Sequence, residues 1–313
     1  MSLVTLALNA MATRFELVLH GENTTRLRAA GEAALKEVER LEADLSLFRP
    51  TSEIARVNAS SAREPVRVSP AVFRLLQHAR QLQSESGGAF DITVAPLVRC
   101  WGFMHGTGRV PEPAEIDAAR SRSGMAHVML DEQNLTVRFD QEGVMIDLGA
   151  IGKGHAIDCA VESLREAGVT SALLHGGTST VYGLGAPPGA EGWKIAIASA
   201  PDQPPRQTAV VLRNNALSVS AVWGKCFEAD GKKYGHVIDP RTGWPVNNAV
   251  QAALVLPSAT ETDALSTALL VLGLEGHEAI SRLRADMRTM VVAPAEQGFR
   301  VEARGIAVPG SDS

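Results

Sequence analysis

Three short stretches of this 313-residue chain carry side chains that could do chemistry. The first, residues 234 to 246, reads Y-G-H-V-I-D-P-R-T-G-W-P-V. Pro240 fixes φ and Gly243 can take φ > 0, so Asp239-Pro240-Arg241-Thr242-Gly243 reverses the backbone and holds His236, at an apolar strand end, on the lip of a turn. A histidine so placed can accept a proton or orient a phosphate; the bland alternative is a hairpin with an incidental histidine. In the second stretch, Asp263 and Thr267 stand four apart in an otherwise apolar segment, and a helix puts both on one outward face, one turn apart. Two hard oxygens at that spacing suit magnesium, which takes few protein ligands and completes its shell with water and substrate phosphate. The same pair also reads as a helix cap, with the threonine bonding back to a carbonyl. In the third stretch, Gly149 to Gly154 puts glycine at every second or third position around Lys153, so backbone can approach a phosphate that an ammonium neutralises. It is not a Walker A loop, because Gly154 follows the lysine and Asp147 stands where the first glycine belongs; Gly183-Leu184-Gly185 likewise lacks the third glycine of a dinucleotide fingerprint.

Elements able to position these stretches can be read from periodicity. Arg14 to His20 alternates, with Phe15, Leu17 and Leu19 on one side, as in a half-buried strand. From Asn23 onward Leu27, Ala34, Val38, Leu41 and Leu45 recur at helical spacing. Ser69-Pro70 opens a second helix whose stripe runs through Val72, Leu75, Leu76, Ala79 and Leu82 to Gly87-Gly88, and Phe90 to Leu97 then falls in a loop. Residues 104 to 124 read as a surface excursion ending in a short helix. Strands are expected over Ala126 to Leu130, Leu135 to Phe139 and Val144 to Leu148, a helix over His155 to Ala167, and a strand over Ser171 to Leu174. The Gly- and Pro-rich stretches 183 to 192 and 200 to 206 read as loops, and no clean domain boundary appears.

Composition excludes several classes. With 45% hydrophobic and 21% charged residues the chain can bury a sizeable core, and its net charge of −5, with both signs intermixed, argues against nucleic acid or an anionic membrane as partner. No apolar run reaches the length of a membrane span. Cys100, Cys159 and Cys226 are odd in number with no C-x-x-C spacing, so neither a disulfide framework nor a zinc site is expected. The first ten residues lack a positive charge ahead of their apolar stretch, so a cytoplasmic setting is expected.

Residues 86 to 103 (S-G-G-A-F-D-I-T-V-A-P-L-V-R-C-W-G-F), 146 to 158 (I-D-L-G-A-I-G-K-G-H-A-I-D) and 259 to 273 (A-T-E-T-D-A-L-S-T-A-L-L-V-L-G), in order with H-V-I-D-P-R-T-G, resemble the ApbE family of FAD:protein FMN transferases. M-A-T at 11 to 13 and L-S-L-F-R-P-T-S-E-I-A-R-V-N at 45 to 58 fit the same pattern. The resemblance covers residues 11 to 295. It implies an α+β fold of two similar T-fold-like units packed as one body, here a single domain over 1–313, with the flavin site between them. Some relatives are exported, so an exported setting is the alternative to the cytoplasm if a leader has been trimmed.

The resemblance also implies residue roles. Magnesium is expected on Asp263, Thr267 and the main-chain carbonyl of Ala150, and FAD on Met11, Phe48, Ala89, Phe90, Asp91, Asp147, Lys153 and His236. The implied reaction cleaves the FAD pyrophosphate, passes FMN to a threonine hydroxyl of an acceptor flavoprotein subunit and releases AMP. His236 would be the base or phosphate-orienting group, and Lys153 an electrostatic clamp. With water as nucleophile the same site would be a magnesium-dependent FAD pyrophosphatase; without turnover, a non-catalytic FAD-binding protein. The chain departs from the family pattern at Gly176-Gly177-Thr178, where an acidic residue commonly follows the glycines, at Ser220-Ala221-Val222-Trp223 in place of Ser-Gly-x-Tyr, and at Phe48 in place of tyrosine. These positions lie near the expected flavin and acceptor surfaces. His155, His175 and His277 lie outside the expected site and read as structural.

Overall fold

The computed structural model describes residues 2–308 except 105, 107, 200–207 and 297, so the loop expected over 200–206 lies outside the described residues. The first half opens with β1 (Ser2–Ala10), β2 (Thr13–Gly21) and α1 (Thr24–Leu45). An excursion follows through α2 (Glu53–Ser60), β3 (Val66–Arg67), α3 (Pro70–Glu85), α4 (Ala95–Cys100), α5 (Pro113–Arg120), β4 (Val128–Asp131) and β5 (Thr136–Phe139). The chain returns with α6 (Gly152–Glu166), β6 (Ala172–Gly176) and β7 (Thr180–Leu184). The second half runs β8 (Trp193–Ala196), β9 (Ala209–Leu212), β10 (Asn215–Ala221), β11 (Cys226–Ala229), β12 (Lys232–Gly235), β13 (Gln251–Leu256), α7 (Ala259–Ser281), β14 (Arg288–Pro294) and β15 (Phe299–Arg304).

Eight strands form one sheet in the order β1-β2-β6-β7-β10-β13-β14-β15, antiparallel at every junction. Each half supplies four strands in the same pattern: two strands, helical crossover, two strands. In the first half α1 and α6 make the crossover. In the second, α7 contains Gly273 at φ 64 and ψ −152, so it is two helices joined at a kink. Only glycine adopts that conformation without strain, and the Asn248 amide donates to the carbonyls of Val271 and Leu272 (3.3 and 3.4 Å), which the kink exposes. The α+β class and the paired units expected from the sequence are therefore present, joined through β7 and β10.

The helices cover one sheet face, where Phe15, Leu17, Leu19, Leu174, Leu254 and Val291 meet Leu41, Ile157, Leu265 and Leu269. The β8–β9 hairpin covers the other, placing Trp193 and Leu212 on Val181, Leu217 and Val255. Alternation and caps explain the local choices: Asn23 and Ser69 accept from Arg26 N and Val72 N and start α1 and α3 where their sequences suggest.

Four sequence expectations need revision. Among the described residues Val144 to Leu148 joins no ladder, because its backbone finds other partners. The Asn58 amide brackets Ile146, donating to its carbonyl (2.8 Å) and accepting from its N–H (2.7 Å), and Asp147 N donates to Ile92 O at 2.7 Å. Ala95 onward is helical rather than loop, and α6 begins at Gly152, which puts Lys153 and Gly154 in its first turn. Unanticipated β1 forms a sheet edge ahead of residue 11. Among the described residues no helix is long and apolar enough to cross a membrane.

Candidate active site

The site begins where the N-termini of α6 and α7 meet. A Cβ on Gly154 would collide with the Ala259 carbonyl and lie 2.8 Å from the Asp263 Cβ, so glycine alone permits this approach. Each helix then caps the other. Ile151, the N-cap of α6, offers no side-chain acceptor, and Asp263 Oδ2 of α7 accepts from Gly154 N at 3.0 Å. In return Asp158 of α6 accepts from Ala259 N and Thr260 N (2.8 and 2.9 Å) and from the hydroxyls of Ser258 and Thr260 (2.8 and 2.7 Å). Asp263 is thus not an outward helix residue: it is 4% exposed, and it caps a neighbouring helix rather than its own. Its Oδ1 accepts from Thr180 Oγ1 at 3.4 Å. The Thr267 hydroxyl donates back to Asp263 O (3.2 Å) and lies 3.2 Å from Ser220 Oγ.

Lys153 brings the glycine-rich stretch onto this centre. Its Nζ donates to Gly149 O at 2.9 Å and lies 3.5 Å from Asp263 Oδ2, so an ammonium already faces the buried carboxylate. Ala150 is half-buried in the turn just before α6. Asp147, also half-buried, folds back to accept from Gly149 N at 2.8 Å. Burial pushes its carboxyl above the usual range, while the Gly149 N–H and the charges of Lys153 and Lys225 pull it down.

His236 follows β12 directly. Its N–H donates to Lys225 O (3.0 Å), and its Nδ1 lies 3.1 Å from the same carbonyl. A carbonyl can only accept, so Nδ1 carries the proton and Nε2 presents its lone pair. Burial lowers its pKa below the ordinary 6.5, the Lys225 carbonyl opposes that, and the charges of Lys225 and Lys153 add to it. The imidazole is therefore neutral at neutral pH and competent to accept a proton. The turn behind it is rigid: Asp239 N donates to Trp244 O (2.9 Å), Gly243 N to Asp239 O (2.8 Å), and Arg241 forks onto both Asp239 oxygens (2.9 and 2.7 Å). Trp101 Nε1 anchors Gly243 O at 2.8 Å, and Ile238 is buried beside Leu97 and Trp101.

The remaining candidates form two groups. Met11 and Ala12, with φ of 51° and 57°, are the two central residues of the β1–β2 turn, a geometry that favours glycine or asparagine. Glu42 holds this turn through Met11 N (2.8 Å) and the Phe48 segment through Arg49 (2.6 Å), leaving the Phe48 ring 74% exposed. Ala89 and Phe90 are each 1% exposed and belong to the core. Asp91 is buried and accepts from Thr93 N and Thr93 Oγ1 (2.7 and 2.6 Å), so its side chain holds its own turn. Lys153 and Asp263 are in direct contact, and their centre reaches Asp147 through Gly149 and His236 through charge. His277 is occupied by Thr289 and Glu302 (2.8 and 3.3 Å), as a structural histidine would be.

Three contributors escaped the sequence reading. Asp158 lies inside the 146–158 stretch, but its partners are a hundred residues away. Lys225 sits at the start of a hairpin with no strong strand signal, and Glu42 is one of many acids along α1. Only the tertiary fold distinguishes them.

The chain is similar to known proteins over most of its length. A family model described as the ApbE family matches residues 11–291. The FAD:protein FMN transferase of Salmonella typhimurium is 31% identical over 285 residues, 87% of this chain and 80% of that protein; the Escherichia coli protein of the same name is 32% identical over 268 residues, 81% and 75% of the two chains. Among solved structures, the flavin transferase ApbE from Vibrio cholerae superposes with a TM-score of 0.85 at 26% identity, covering 97% of both chains. The ApbE protein of Thermotoga maritima gives 0.86 at 27% identity over 96% of both. The chain belongs to the ApbE family.

Proposed function

We propose that this chain transfers FMN from FAD to a threonine hydroxyl of an acceptor protein, releasing AMP, and that magnesium assists. The observation that carries this reading is the single cationic centre around Lys153, which contacts Gly149 O and the Asp263 carboxylate and acts through charge on Asp147 and on the neutral His236. Such a centre suits a pyrophosphate, whose developing charge must be held during transfer.

The donor set also fits a hard divalent cation. Asp263 offers a buried carboxylate, Thr267 a hydroxyl whose proton goes to Asp263 O, and Ala150 a main-chain carbonyl, all oxygen. When bound there, magnesium supplies charge neutralisation to the phosphates. Lys153 holds the pyrophosphate. The threonine Oγ attacks the FMN-side phosphorus, its proton passes to His236 Nε2, and the bond from that phosphorus to the bridging oxygen breaks, so the bridging oxygen leaves with AMP.

The test is mass spectrometry of candidate flavoprotein subunits incubated with the chain, FAD and magnesium. A covalent FMN adduct with one AMP released per adduct is expected. AMP released at the same rate without any acceptor would replace this reading with a pyrophosphatase.

A further inference from the structure

A cavity of about 530 Å³ lies between β12 and the segment from Asp239 to Asn248, with Lys232, Lys233 and Tyr234 on one wall and Thr242, Trp244 and Asn247 on the other. None of Lys153, Asp147, Asp263 or His236 lines it, but one wall is the strand that leads into His236.

Its wall is a free strand edge. Among the described residues β12 pairs only with β11. The bond from His236 N to Lys225 O makes that pair a hydrogen-bonded one, and antiparallel alternation then directs Tyr234 and Lys232 toward β11. The N–H and C=O of exposed Lys233 consequently point away from β11, into the cavity. An unpaired edge of this kind is a template for one more strand. Among the described residues neither Lys232 nor Lys233 has an acidic partner, in a chain whose net charge is −5. Trp244, 45% exposed, adds an apolar platform whose other side rests on Trp101 at 5.3 Å. Ring contacts among Trp101, Tyr234, Phe227 and Phe103, with Phe227 stacked on Tyr234, hold the hairpin in place.

We infer that the cleft between β12 and the Asp239–Asn248 segment docks the acceptor as an extended, acidic segment that adds a strand to β12. Backbone pairing at Lys233 sets the register, and Lys232 and Lys233 select acidic flanking residues. This rests on the transfer reading, but binding can be measured without turnover.

The probes are two fluorescent nine-residue peptides, each with a central threonine in a Gly/Ser/Val background, one with two flanking aspartates and one with two flanking lysines. Anisotropy titration against FAD-loaded protein without metal should show the acidic peptide binding and the basic one failing. Lys232→Glu with Lys233→Glu should weaken the acidic peptide roughly tenfold, the sum of two exposed charge interactions, and leave FAD affinity unchanged. N-methylation of alternate peptide amides should abolish binding in one register only, which simple charge attraction would not produce. Equal binding of both peptides, or insensitivity to N-methylation in either register, overturns the proposal. A double variant that weakens FAD and spares the peptide also overturns it and assigns the cleft to flavin. If the peptide binds as expected and no adduct forms with metal, the transfer reading fails while the docking site stands.

Discussion

The α6–α7 crossing and the His236 hairpin are built in opposite ways. At the crossing, a buried carboxylate, two helix N-termini and a glycine contact are over-determined by partners far apart in sequence, such as Asp158 with Ala259 and Asp263 with Gly154. At the hairpin, nearly every bond is local: Asp239 with Arg241, Gly243 and Trp244. A centre that holds phosphate charge gains from a rigid, water-poor surround, whereas a base that must meet an incoming macromolecule belongs on an accessible edge. Changes at the hairpin should therefore alter rate and spare stability; changes at the crossing should alter both.

The largest effect should come from His236→Ala. Transfer at saturating FAD is expected to fall about 10²- to 10⁴-fold, with FAD affinity and the melting temperature unchanged. Single-turnover adduct formation and flavin-fluorescence titration separate the two, and a matching loss of FAD affinity would turn His236 into a binding contact.

The reciprocal caps supply the next contrast. Asp158→Ala and Asp263→Ala should each cost roughly 1–3 kcal/mol of stability, because each leaves helix N–H groups without acceptors. Only Asp263→Ala should also remove divalent-metal binding. Denaturant midpoints and calorimetric magnesium titrations compare them, and equal loss of metal in both variants would mean that the crossing is simply a scaffold.

Lys153→Gln removes the ammonium that faces Asp263 in the absence of ligand. Divalent-metal affinity without flavin should rise by about tenfold, the scale on which one neighbouring charge shifts an ionic equilibrium, while FAD affinity falls. Manganese titration followed by electron paramagnetic resonance reads this directly. No change would mean that the lysine and the metal occupy separate places.

The smallest effect is a displacement in pH. Neutral His236 is the working form and its folded pKa lies below 6.5, so transfer should be flat above pH 6.5 and fall only as pH drops through that lower value. Lys225→Gln removes one of the charges that depress it, so the acid limb should move up toward 6.5. A limb that stays in place would exclude Lys225 from tuning the base.

Several features were legible from residue order because their physics is local. The Asp239–Gly243 turn follows from proline and glycine geometry, and α1 and α3 from caps and apolar period. The α+β class followed from strands and helices in series. Where backbone partners come from distant side chains, the pattern misleads. Residues 144 to 148 have strand-like alternation, but Asn58 and Ile92 take their hydrogen bonds. Asp263 looks like an outward carboxylate until Gly154 brings α6 against it. Residue types and spacing determined by themselves which groups could hold phosphate, metal and proton. Tertiary structure alone decided that Asp158 and Asp263 cap each other's helices, that the Lys225 carbonyl holds His236, and that the free edge of β12 faces a cleft. Burial and charge are properties of what surrounds a side chain, and here those surroundings come from segments a hundred residues and more away.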